Sequence, residues 1–244
     1  MRREDCAMQN MNLSELEVKI GYKFKNIEHL KTALTHSSYS NELKLKGKVV
    51  ECNERIEFLG DSVLSIIAAD YLYNKYPDFP EGELTRRRAV IVCRDALSSY
   101  AKSFDLGDFL FLGNGEEKNN ARERKSLLEN TFEALMGAIY LDGAPDRMQF
   151  IARLMRPFFE KELDAWEKGK IVKDYKSELQ QIIQQSGVDT LCYVMTGSSG
   201  PDHEKIFEVE AHLNSNIIGR GTGKTKREAE QNAAKEALAL FGEI

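Results

Sequence analysis

Apolar residues follow a helical spacing through most of the chain and change to strand alternation only near its end. Over residues 13–39, Leu16, Ile20, Phe24, Ile27, Leu30 and Leu34 mark short helices broken by turns. Residues 53–76 contain no helix breaker except one Gly, stop at Pro77 and are too apolar for a surface helix, which predicts a long, mostly buried one. Residues 126–142 predict a second nearly all-apolar helix, and residues 148–166 a third. A short charged stretch with Gly169 then reads as a linker. Beyond it, Leu179, Ile182 and Ile183 share a helix face, and Phe207, Val209, Ala211 and Leu213 alternate with Glu208, Glu210 and His212 as in a half-buried strand. Ala229, Ala233, Ala237 and Leu240 mark the inner face of a last helix. The pattern predicts two domains: an all-α one over 13–166, a linker over 167–173 and a small α+β one (α-β-β-β-α) over 174–242.

Composition sets the class. A chain of 244 residues, 42% of them hydrophobic, can bury a core in one large and one small domain. No stretch is long and apolar enough to span a bilayer, and Met1 to Cys6 lacks the apolar core of a secretion signal, so no membrane partner and a cytoplasmic location are expected. Cys6, Cys52, Cys93 and Cys192 have no paired spacing and no histidine pattern, which argues for reduced thiols. With 34 basic and 39 acidic residues the chain is mildly acidic, so any nucleic-acid binding must rely on local clusters.

The acids inside the two apolar helices carry the chemistry. At about 100° per residue, Glu54, Glu57 and Asp61 fall on one helical stripe, where like charges repel and apolar neighbours disfavour ionisation. A divalent cation relieves both. On the second helix Asn130 and Glu133, three residues apart, share a face and can complete an oxygen cage for Mg²⁺.

The run Glu54-Arg55-Ile56-Glu57-Phe58-Leu59-Gly60-Asp61-Ser62-Val63-Leu64 resembles the signature helix of the bacterial ribonuclease III endonucleases, and Phe132 to Asp142 resembles that family's second acidic helix. Residues 174–180 resemble the first helix of a double-stranded-RNA-binding domain, and Gly219 to Gln231 its phosphate-clamping segment. The resemblance implies a Mg²⁺-dependent homodimer, with Mn²⁺ able to substitute, that cuts double-stranded RNA in processing of ribosomal and messenger precursors. Glu57, Asp61, Asn130 and Glu133 would hold the metal and activate a water for attack on the phosphodiester, with Asp61 and Glu133 catalytic and Glu54 an accessory acid. Phe58 would pack into the partner subunit. Ser177, Gln180 and Gln181 would face one minor groove, His203 another, and Lys224, Thr225, Lys226 and Arg227 the phosphates; Thr225 also fits a helix N-cap. Glu81 and Glu116 fall where the family carries further acids. The arginines at 86, 87 and 88 read equally as a solvated face or a phosphate contact, and His36 as a structural histidine.

One position departs from the family pattern. Asn130 stands where Asp is usual; its amide oxygen can ligate a hard cation but brings no negative charge. The favoured reading is an active endonuclease, because Glu57, Asp61 and Glu133 are intact. The alternative is a double-stranded-RNA-binding protein with impaired cleavage.

Overall fold

The computed structural model describes residues 12–143, 145–169, 175–186, 190–201 and 205–241. The chain divides after Lys168 into two compact units.

The first unit is helical: α1 (Leu13–Ile20), α2 (Ile27–Ala33), α3 (Ser37–Leu45), α4 (Glu54–Lys75), α5 (Glu81–Ile91), α6 (Arg94–Ser103), α7 (Asn114–Lys118), α8 (Lys125–Leu141) and α9 (Arg147–Glu167). Two short 3₁₀ turns, Leu106–Phe109 and Ala121–Glu123, lie between α6 and α8. Helix α8 is central. Leu128, Phe132, Leu135, Met136 and Ile139 point to different sides of it and all are buried, as expected of a helix that is apolar all round.

Helix α4 lies across α8 at two glycines. A Cβ on Gly60 would stand 1.7 Å from the Glu133 carbonyl oxygen, and one on Gly137 2.4 Å from that of Ile56. Any side chain at either position would hold the helices apart. Ile56, Val63, Leu64, Ile67 and Leu72 cover the buried face of α4. The opposite face departs from the expected burial: Ile66 is 58% exposed and Phe58 78%, because α4 packs on one side only.

The end of α8 is tied back to the start of the chain. Buried Asp142 accepts hydrogen bonds from the Tyr22 hydroxyl (2.9 Å) and from the backbone N–H groups of Lys25 (2.9 Å) and Asn26 (2.8 Å). Burial works against its charge, yet these donors outweigh it and hold the carboxyl below its usual range.

Arg87, left open between solvent and phosphate by the sequence, is neither. It is 8% exposed, pairs with Glu83, and lies over the rings of Phe79 (4.4 Å), Tyr76 (5.0 Å) and Trp166 (5.1 Å). This cluster joins α5 to the end of α4 and the last turn of α9.

The second unit holds α10 (Tyr175–Ser186), an antiparallel sheet in the order β1 (Leu191–Ser199), β2 (Ile206–Leu213), β3 (Asn216–Gly223), and α11 (Lys226–Leu240). Helix α11 packs on the sheet through small residues. A Cβ on Gly219 would meet the Ala233 carbonyl oxygen at 2.3 Å and one on Gly221 that of Ala229 at 2.2 Å. Ala229, Ala233 and Ala237 are buried as expected, but Leu240 is 71% exposed. Leu238, four residues after Ala234, takes the inward place in the last turn instead.

Candidate active site and RNA interface

The glycine crossing brings the stretch of α4 that carries Glu57 and Asp61 against the stretch of α8 that carries Asn130 and Glu133, close enough for their charges to act on one another. Burial, then repulsion from Asp61, Glu129 and Glu57, pushes the Glu133 carboxyl up to about 8. Glu57 is raised by burial and by Glu54, against a hydrogen bond from the Asn130 side chain that favours its ionised form, while Glu129 and Asp61 add further repulsion. Among the described residues no three acidic, His or Cys side chains are already drawn into one compact cage. The donor set nonetheless fits a hard cation. All four side chains offer oxygen, and the repulsion among the three carboxylates is relieved by positive charge beside them.

A polar cleft opens over Glu57 and Asn130, walled by His36, Asn53, Glu54 and Arg124. Glu54 is exposed at its rim and Asp61 lies one helical turn farther along α4. Arg124 pairs with Glu116 at 2.5 Å, which brings that acid to the cleft mouth. Glu81 goes elsewhere: it accepts a hydrogen bond from Thr85 (2.6 Å) and lines a separate groove between α4 and α5 with Ile66, Tyr73 and Arg88. Glu129, the acid beside Asn130, is held by Arg94 Nε at 2.6 Å and does not stand in for the missing carboxylate. Phe58 is on the open face of α4, clear of the cleft.

In the second unit Ser177 and Gln180 are exposed on α10, which also carries Gln181; His203 lies outside the described residues. Thr225 caps α11, its hydroxyl accepting from the Glu228 N–H (3.1 Å), and the Glu228 carboxylate accepts from the Lys224 N–H (2.8 Å). The exposed side chains of Lys224, Lys226 and Arg227 surround that terminus, and none enters an ion pair among the described residues.

Comparison with known proteins gives this geometry a family. Residues 26–158 match the model described as Ribonuclease-III-like, and residues 175–240 match the Double-stranded RNA binding motif. Ribonuclease 3 of Clostridium tetani is 44% identical over 93% of this chain and 94% of its own length; that of Listeria monocytogenes is 43% identical over 92% and 95%. The chain belongs to the ribonuclease III family. The crystal structure of the ribonuclease III nuclease domain from Campylobacter jejuni, 35% identical, covers 62% of this chain and 95% of that one with a TM-score of 0.54.

This ribonuclease III chain is an endoribonuclease for double-stranded RNA. The reading as a binding protein without efficient cleavage is not favoured by these relatives. Sequence reasoning did not single out Asn53, Arg94 or Ser38 near the ribonuclease III cleft. Asn53 had one signal available, a polar residue at the start of an apolar helix; its buried N–H donates to Thr35 at 2.8 Å. Arg94 had none, since its partner Glu129 is 35 residues away.

Proposed function

We propose that Glu57, Asp61, Asn130 and Glu133 hold Mg²⁺, or Mn²⁺ in its place, and that the cleft above them is where one strand of a double-stranded RNA is cut. The observation that supports this reading is the close crossing at Gly60 and Gly137, beside which Glu133 is pushed up to about 8 by burial and by Asp61, Glu129 and Glu57. When bound, the cation supplies the charge that makes water a nucleophile near neutral pH and offsets charge on the phosphodiester oxygens. The chain's residues do the rest. Glu57 and Glu133, half-buried, fix the spacing; Asp61, exposed, faces the solvent from which water and RNA arrive; Asn130 lends an oxygen while its amide steadies Glu57. Glu54 serves as an accessory acid at the rim.

RNA is held mainly by shape and phosphate contacts in the second domain, through Ser177, Gln180, Gln181 and His203 toward the minor grooves and Lys224, Lys226 and Arg227 beside the Thr225 cap toward phosphates. Residues 173–244 contain eight Lys or Arg against eleven Asp or Glu, which supports a focused patch rather than general affinity for nucleic acid. The active species is a homodimer in which Phe58 enters the partner. One of the Campylobacter jejuni nuclease-domain structures is described by flexibility in a region involved in dimer formation. We assign the domains to 13–166 and 174–242, the linker to 167–173, the location to the cytoplasm, and the substrates to ribosomal and messenger precursors. Among the described residues no helix is long and apolar enough to cross a membrane.

The test is cleavage of a labelled RNA hairpin across Mg²⁺ and Mn²⁺ titrations, with binding followed in Ca²⁺, for this chain and its Asn130→Asp variant. A rate within about tenfold of the variant, a barrier difference near 1.4 kcal/mol, supports Asn130 as a working ligand. Equal binding with cleavage slower by orders of magnitude at every metal concentration refutes it.

A further inference from the structure

Beside the carboxylates, the cleft holds one imidazole that is fully engaged on one edge only. His36 is the N-cap of α3: its Nδ1 accepts from the Ser38 backbone N–H at 3.3 Å and lies 2.8 Å from Ser38 Oγ. The Gly113 N–H donates to that same oxygen at 3.0 Å, and because Nδ1 already accepts from the Ser38 N–H, the hydroxyl hydrogen is directed at Nδ1. Two donors at Nδ1 assign the ring proton to Nε2. No acceptor for Nε2–H exists among the described residues.

The backbone here is clamped as well. The His36 N–H donates to Phe111 O (3.1 Å), the Phe111 N–H to Leu34 O (2.9 Å) and the Asn53 N–H to Thr35 O (2.8 Å), which fixes the residue between the start of α4 and the segment leading to α7. A helix cap alone needs an acceptor at Nδ1 and makes no use of the ring's far edge. Here His36 lines the cleft together with Glu57 and Asn130.

We propose that His36 Nε2–H donates to a non-bridging phosphate oxygen of the RNA strand being cut and so holds that strand over Glu57 and Asn130. Burial lowers the proton affinity of the ring, with Arg124 acting the same way against Glu116 and Glu54, so the neutral donor is its working form. This makes His36 a substrate-contacting residue rather than the purely structural histidine that the sequence favoured. The inference rests on the cleft being the site of cleavage.

The test separates the cap from the contact. In His36→Asn the side-chain oxygen can still cap α3, since Asn is among the best N-caps, but it is too short to present the distal donor. Full-length protein is followed by thermal melting and by single-turnover cleavage of a hairpin, either all-phosphate or with single methylphosphonates stepped through the linkages near the cut. We expect His36→Asn to melt with the parent and cut about tenfold or more slowly, as for a lost hydrogen bond to a charged group. One methylphosphonate position should slow the parent to the same degree and slow His36→Asn no further. Parent-like cleavage by His36→Asn, or additive losses at every position, overturns the proposal. Glu133→Gln is run alongside: if it cuts like the parent, the site reading itself fails and the proposal falls with it; if it is inactive, the His36 result stands alone.

Discussion

The Asn130 side chain favours the ionised form of the Glu57 carboxylate across the crossing of α4 and α8. An Asp at that position would replace a donor with a second negative charge. Without divalent metal, Asn130→Asp should therefore be less stable than the parent, by about 1 kcal/mol. In saturating Mg²⁺ the order should reverse, because binding to the folded state alone adds stability in proportion to affinity. Thermal melts in EDTA and in Mg²⁺ check this; curves that coincide in both media would sink it.

Gly60→Ala should destabilise the first unit by about 3 kcal/mol, since the added methyl meets a backbone carbonyl that no side-chain rotation can move. Gly82, inside α5 with nothing within 4 Å of a new Cβ, is the control. Gly82→Ala should be neutral or gain up to about 1 kcal/mol from helix propensity. Urea unfolding of both variants reads the difference, and equal effects would refute the account.

Asp142 gives the acid limb of stability a named contributor. Its folded-state affinity for protons is below the ordinary value of 3.8, so its contribution is complete above that pH and is lost as pH falls through the lower folded value. At pH 7, Asp142→Asn should cost about 2 kcal/mol, from weakened charge-assisted hydrogen bonds. The gap to the parent should narrow in acid. A gap that stays constant down to about pH 2.5 would mean the carboxylate charge is not what matters.

At the second domain, replacing Lys226 or Arg227 with Ala should weaken hairpin binding similarly for unrelated duplex sequences and reduce the salt slope by about one per residue. Thr225→Ala removes the cap and should cost about 1 kcal/mol of stability in that domain. Binding titrations at several salt concentrations, beside melts, distinguish the two effects. An unchanged slope for Lys226→Ala would remove that residue from the interface.

Phe58 is 78% exposed, so Phe58→Ser should leave the fold of one subunit intact while weakening self-association by about 2 kcal/mol per buried ring. Sedimentation equilibrium measures this. A variant that associates as tightly as the parent rules out Phe58 as the anchor.

Much of this was legible in the chain because helical period is a strong signal. The offsets of 57 to 61 and of 130 to 133 place each pair on one helix face by the period alone. Readings failed where a residue's neighbours come from distant sequence. Ile66 sits in an apolar helix, yet it is 58% exposed because α4 packs on one side only. Arg87 is charged, yet three rings from two distant segments bury it. Leu240 fits the inward period but lies in the last turn, where Leu238 takes the inward place. The meaning of His36 depends on Ser38 and Gly113, and 75 residues separate that pair.

The Arg87 cluster has an optical consequence. Trp166 is the one tryptophan of the chain, in the last turn of α9, stacked with the guanidinium of Arg87 two residues before the first unit ends. Excited at the red edge of its absorption, where tyrosine is dark, the protein emits from the nuclease half only. Its fluorescence therefore reports from that half.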